Sequence, residues 1–324
     1  MSVDSSSIVA RRQAGETWQS IAASLSMPES TLRGRLRRGG QLTPTIDPSQ
    51  APTAPVAAAA AAVPVASGAA FVAPTWYPLL RYAMASERGA TLFGPRGCGK
   101  STAIRELAAE LQRPTITMQC AANMQIDALL GSWTSERGTL KFIDGPLAEA
   151  VRTGAWLLAE EANVIHPGVW SMVNTLTDQT GEPLRLPNGQ IIPQHPDFRL
   201  VLIYNEGYTG TREVNAALKD RLMPIYCGYL SQADEIALLQ SKTTADAAEC
   251  TRVQDVAAMI RAANLRFDLS PRSLCRWIRL VKEAGMSWAD AFERAIIDLV
   301  GPPELAAPQR TVLAEIARNT VANW

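Results

Sequence analysis

The sequence predicts an α/β fold: a parallel sheet flanked by helices, with a helical C-terminal lid and a small all-α N-terminal domain. Three observations carry that expectation. Apolar strand-like runs at 90–93, 115–118, 155–159, 199–204 and 223–226 alternate with helical stretches, the rhythm of a parallel sheet covered on both faces. After Gly228 the pattern is wholly helical, with Ala, Leu, Ile and Trp recurring at i, i+3, i+4 through Trp324. A charge-poor Ala/Pro stretch sets the first 40 residues apart. At 324 residues the chain is long enough for two or three units with their own cores.

Residues 1–40 read as three short helices. Ser7 to Gln13 forms the first and Thr17 to Ser24 the second, with Trp18, Ile21, Ala22 and Leu25 at helical spacing. Ser30 caps a third, Thr31 to Arg38. The stretch Gly15 to Ala22, followed by Ser30-Thr31-Leu32-Arg33, resembles the helix-turn-helix of resolvase and sigma-type proteins. Six arginines face only Asp4, Glu16 and Glu29, and Arg33, Arg35, Arg37 and Arg38 cluster on the last helix. Such a helix suits phosphates and base edges of a major groove, so duplex DNA is an expected partner of residues 1–40. A helical protein adaptor with solvated arginines is the other reading.

From 41 to 74 the composition falls to Ala, Pro, Val, Thr and Ser. Prolines at 44, 48, 52, 55 and 64 forbid a continuous helix. This reads as a flexible linker. An α/β core is expected over 75–228 and the helical lid over 229–324, the core opening with a helix from Tyr77 to Ser86.

Within the core, Gly94-Pro95-Arg96-Gly97-Cys98-Gly99-Lys100-Ser101-Thr102 follows an apolar run and precedes a helix-like stretch ending at Leu111. Glycine, four residues, then Gly-Lys-Ser is the spacing of a phosphate-binding loop. The glycines let consecutive N–H groups turn inward on an anion, and the first helical turn adds unpaired N–H groups and a positive dipole end. Lys100 is expected on the β- and γ-phosphates of ATP, and Ser101 on Mg²⁺. The next strong strand, Ala155 to Ala159, ends in Glu160-Glu161, where a carboxylate pair can serve the metal and polarise water. Another, Leu200 to Tyr204, ends in Asn205. Leu218-Lys219-Asp220-Arg221-Leu222 and Ser270-Pro271-Arg272 follow.

In this order the motifs resemble an AAA+ P-loop ATPase of the MoxR group, near its CbbQ/NirQ/GvpN branch. Further matches are Asp127 to Gly131, Asp144-Gly145-Pro146-Leu147, Ala150 to Gly154, His195 to Arg199 and Tyr204 to Tyr208, so the resemblance covers roughly 75–300. It implies that Glu161 is the catalytic glutamate, Asn205 sensor 1, Arg221 an arginine finger and Arg272 sensor 2. Glu160, with Ser101, would hold Mg²⁺ through water. It further implies that Gly138 to Pro146 interrupts the second helix and that 184–192 form a hairpin turning at Asn188-Gly189. The family usually carries Asp-Glu where this chain has Glu160-Glu161, which places the first carboxylate one methylene further out.

Two functions follow as expectations. One is a hexameric ring that spends ATP to remodel a client protein, with a von Willebrand A-domain protein as partner. The other is an ATP-switched assembly held on DNA by residues 1–40. No Gly-Ala-Phe-Thr-Gly-Ala loop points to a sigma-54 activator, and Asp220-Arg221 departs from the Ser-Arg-Cys of clamp loaders. Lys plus Arg equals Asp plus Glu at 31 each, so any basic surface is local. The cysteines at 98, 120, 227, 250 and 275 lack metal-site spacing and read as reduced buried thiols. His166 and His195 both precede proline and read as turn residues. The Ala-rich run at 57–62 is too short to span a bilayer, so a cytoplasmic protein is expected.

Overall fold

A computed structural model describes residues 16–25, 61–66, 71–136, 139–178, 180–207, 211–263, 265, 267–322 and 324. The chain divides into two compact units, Met1–Ala54 and Pro55–Trp324.

In the first unit one helix is described, α1 (Trp18–Ser24). Thr17 caps it by accepting a hydrogen bond from the Ser20 amide at 3.2 Å, and Ile21 and Ala22 are buried. The helices expected at 7–13 and 31–38, with the arginines of the latter, lie outside the described residues.

The second unit is built on a five-stranded parallel sheet. Its strands are β1 (Gly89–Phe93), β2 (Thr115–Gln119), β5 (Trp156–Glu160), β8 (Arg199–Tyr204) and β9 (Met223–Tyr226), ordered β2-β5-β8-β1-β9. β3 (Gly131–Glu136) with β4 (Thr139–Asp144), and β6 (Leu184–Arg185) with β7 (Ile191–Ile192), are antiparallel hairpins. The central strands are apolar on both faces because both are covered. Leu157, Ala159, Leu200 and Leu202 face one layer, in which Leu129, Val151 and Trp170 are buried. Alternating with them, Trp156, Leu158, Val201 and Ile203 face α2 (Tyr77–Ser86) and α3 (Lys100–Glu110), which contribute Leu80, Ala83, Ile104 and Leu107.

The β6–β7 hairpin falls where the sequence places it. The expected insertion at 138–146 instead begins at Gly131, seven residues earlier, as a complete hairpin. Its first strand, Gly-Ser-Trp-Thr-Ser-Glu, carries a single large apolar side chain and so escapes a search for apolar alternation. The stretch read as linker is not free throughout. Ala62 forms an antiparallel bridge with Thr115 on edge strand β2, through N–H···O bonds of 2.9 and 3.3 Å.

The lid comprises α9 (Gln232–Lys242), α10 (Ala247–Ala262), α11 (Pro271–Lys282), α12 (Trp288–Ala295) and α13 (Pro303–Thr320), the last interrupted at Ala306. The shorter helices α4 (Ile126–Leu130), α5 (Pro146–Thr153), α6 (Pro167–Trp170), α7 (Asn174–Thr177) and α8 (Ala216–Arg221) fall between the strands of the sheet in chain order. Four lid helices start at a side-chain cap: Ser231, Asp246, Ser270 and Ser287 each accept from the amide three residues on. Trp277 lies at the centre of the lid core, with its ring against those of Trp288, Phe292 and Trp324. All five cysteines are free and buried. Among the described residues no helix is long and apolar enough to cross a membrane.

Candidate nucleotide site

Strand order brings the sequence motifs together. β5, β8 and β1 are neighbours, and their registers set Glu160 opposite Ile203 and Phe93 opposite Tyr204. The loop after β1, the acid pair after β5 and Asn205 after β8 therefore emerge side by side at the carboxyl edge, where ligands enter open parallel sheets. A cavity of about 580 Å³ opens there, lined by Gly97, Lys100, Ser101, Glu160, Glu161 and Asn205 among others. Arg96, Gly99, Thr102 and Arg272 also face it, so the lid closes one side.

The loop turns into α3 through Gly99, which adopts φ +90°, a left-handed conformation open to glycine at little cost. Lys100 follows as the first helical residue and is only 6% exposed. Its Nζ donates to the carbonyls of Gly94 (3.0 Å) and Pro95 (2.8 Å) and to Asn205 Oδ1 (2.9 Å). A buried ammonium is tolerated because all three of its protons are engaged.

Asn205 joins two of these groups. Its Nδ2 donates to Glu161 Oε1 at 3.0 Å while its Oδ1 accepts from Lys100. Glu161 sits at φ +56°, in the left-handed region, directly after β5. That turn takes the chain out of the strand and sends the carboxylate across to Asn205. The turn is fastened by the Ala162 amide donating to the Ile203 carbonyl (3.0 Å) and by Asn163 Nδ2 donating to the Asn205 carbonyl (2.8 Å). Asn163, 4% exposed, is a supporting residue that sequence reasoning missed. Only its place two residues after Glu161 hints at it.

Glu160 faces α3. Ser101 Oγ donates to its Oε2 at 2.7 Å, and Arg105 Nη2 donates to its Oε1 at 3.1 Å. Arg105 was also missed, although its spacing from Ser101 on one helix face was a usable signal. Burial, reinforced by the two nearby carboxylates, pushes the Cys120 thiol up to about 12, so it stays protonated beside the acids. The hydroxyl of Ser101 and the carboxylate of Glu160 are hard oxygen donors on one side of the cavity. They fit Mg²⁺, which takes one or two protein oxygens and completes its shell with water and phosphate. Among the described residues no cluster of three His, Cys, Asp or Glu offers a metal cage.

The lid is fastened to the phosphate loop. A Cβ added at Gly97 would lie 2.5 Å from Ser270 Cβ, so glycine is what lets the lid approach so closely. Tyr229 donates to the Arg96 carbonyl (3.4 Å), and its ring carries the Arg261 guanidinium at 4.2 Å. Arg261 in turn forms two bonds to the fully buried Glu235 and donates to the Leu269 carbonyl, just before the helix that bears Arg272.

Arg221 is not brought to this cavity. It ends α8 and donates to the Ala217 carbonyl within its own helix. The histidines are turn residues: His166 Nδ1 accepts from Gly168 N and His195 Nδ1 from Asp197 N.

The sheet order, with the phosphate loop, the acid pair and Asn205 at its carboxyl edge, gives an AAA+ P-loop fold, and residues 89–222 match the AAA domain of the dynein-related subfamily. Within that class the chain has a CbbQ protein among its curated relatives. It is 29% identical to Protein CbbQ of Hydrogenophilus thermoluteolus over 176 residues, 54% of this chain and 65% of that protein. An uncharacterized protein of Staphylococcus haemolyticus is 33% identical over 144 residues, 43% of this chain and 55% of that one. One of Staphylococcus epidermidis is 29% identical over 235 residues, 69% and 83% respectively. The chain thus spans 65% and 55% of the length of the first two relatives.

Proposed function

We propose that the protein is a Mg²⁺-dependent ATPase of the cytoplasm that works as a ring, most simply a hexamer, and remodels a partner protein. The observation that carries the reading is the chain Lys100–Asn205–Glu161, three groups of the expected chemistry joined by bonds of 2.9 and 3.0 Å. The loop amides and Lys100 bind the β- and γ-phosphates. Ser101 and Glu160 hold Mg²⁺, which when bound offsets phosphate charge. Glu161 accepts the proton of the attacking water, and Asn205 keeps its carboxylate aimed. Arg272 meets the γ-phosphate from the lid. Arg221, placed away from its own cavity, serves the site of a neighbouring subunit as its arginine finger.

The test compares Glu161→Gln with the unsubstituted protein. Binding of a fluorescent ATP analogue should persist within about threefold, while turnover should fall by about 10²-fold or more, the scale of a lost general base. Full turnover by Glu161→Gln would sink the assignment of the base.

A protein bearing a von Willebrand A domain is the partner with which it acts, a reading that rests on likeness to the family. The arginines at 33, 35, 37 and 38 favour a second role, a tether to duplex DNA through residues 1–40. Labelled duplex titrated with the full chain at two salt concentrations decides it. Absence of binding at low salt would leave residues 1–40 as a protein adaptor.

A further inference from the structure

Glu160 stands where a shorter aspartate is usual for the fold, and its surroundings account for the extra length. Its carboxylate is held at both oxygens, by Ser101 Oγ at 2.7 Å and by Arg105 Nη2 at 3.1 Å. Ser101 and Arg105 lie four residues apart on α3 and so present to one face. An aspartate would end one C–C bond, about 1.5 Å, nearer the strand. It could not keep both bonds without a shift of β5, whose register with β2 and β8 is fixed on both sides. A glutamate can reach both, but its additional rotatable bond must be restrained. Ser101 alone restrains one oxygen and leaves the carboxylate free to swing about that contact. Arg105 takes the other oxygen and fixes the plane.

We propose that Arg105 is a positioning residue for the Mg²⁺ side of the site, a role that rests on the nucleotide reading above. It holds the longer Glu160 so that its Oε2 and the Ser101 hydroxyl form a ready pair of oxygen donors. The side chain of Glu160 is 16% exposed and that of Arg105 45%, so the arginine steadies the carboxylate from the solvent side and does not line the cavity. Mg²⁺ demands near-ideal geometry, and groups that orient its ligands are worth about 10- to 100-fold in metal affinity. The half-exposed position of Arg105 puts its effect at the lower end of that range. Simple charge repulsion works the other way: deleting a cation near the site would strengthen Mg²⁺ binding. The sign of the effect therefore separates positioning from repulsion.

The experiment uses the full chain with a fluorescent ATP analogue, titrated with MgCl₂ and compared with binding in EDTA. Arg105→Gln should raise the half-saturating Mg²⁺ concentration about tenfold, with analogue affinity in EDTA unchanged within about twofold. Arg105→Lys should recover most of the loss. In a Glu160→Asp background, where the shorter side chain no longer meets Arg105, Arg105→Gln should shift the Mg²⁺ midpoint by less than about twofold. An unchanged or lowered midpoint in Arg105→Gln overturns the proposal, as does an equal shift in the aspartate background. Failure of the unsubstituted protein to bind the analogue at any Mg²⁺ concentration overturns the nucleotide reading itself, and this proposal with it.

Discussion

Lys100 has no spare proton: its Nζ donates to two carbonyls of its own loop and to the amide oxygen of Asn205, with Cys98 Sγ at 3.6 Å beside them. It therefore holds the loop in shape before any phosphate arrives, and its loss removes both the charge and the internal tie. Lys100→Ala should weaken binding of a fluorescent ATP analogue by at least about 10²-fold, the worth of a charge-assisted contact plus the unmade bonds. Equilibrium titration measures it, and affinity within threefold of the unsubstituted protein would deny Lys100 its role. At this scale the sequence was readable only where chemistry is local. The phosphate loop is eight consecutive residues, and Glu160, Glu161 and Asn205 sit at the ends of recognisable strands. Asn163 and Arg105 act through partners 42 and 55 residues away, so only their spacing from Glu161 and from Ser101 marks them in the chain.

At the scale of elements, the lid is the clearest case of a core stated by its own sequence. Trp277 and Trp288 recur along an apolar helical pattern, and they meet with Phe292 and Trp324 at ring separations of 5.0 to 5.7 Å. Trp277 also donates from its indole N–H to the Trp288 carbonyl at 3.0 Å. Trp277→Ala should destabilise the lid by about 3–5 kcal/mol, through the cavity left and the unpaired carbonyl. Denaturant unfolding followed by tryptophan fluorescence reports it, and a midpoint shift worth less than about 1 kcal/mol would mean the lid does not depend on this cluster. Elements that lean on distant neighbours were less legible. The first strand of the 131–144 hairpin is polar along most of its length and exists by pairing with the second. The bridge from Ala62 to Thr115 needs a free sheet edge, which the composition of a Pro-rich stretch does not disclose.

At the scale of the whole molecule, Arg221 poses the remaining question. It is turned into its own helix and, among the described residues, does not line its own cavity, so its chain does not bring this proposed finger to its own site. If a neighbour supplies it, Lys100→Ala chains and Arg221→Ala chains should each be nearly inactive, with turnover down by about 10³-fold for the latter. A mixture should recover activity at interfaces that pair an intact phosphate loop with an intact arginine. Native mass measurement must first show mixed assemblies. Mixed assemblies that stay inactive, or full activity of Arg221→Ala alone, would remove Arg221 from the reaction.

The backbone of Glu161 carries a further implication, for how such a protein can change over generations. A side chain at φ +56° is held in a conformation that glycine and asparagine accept more readily. Glu161→Gly should therefore unfold at higher denaturant than Glu161→Ala, by about 1 kcal/mol once the looser unfolded chain of glycine is allowed for. The sturdier variant would be catalytically silent. Under the role proposed for Glu161, a descendant relieved of the need to hydrolyse nucleotide would find glycine or asparagine here an easy gain, so the strained glutamate would persist only while that role is exercised.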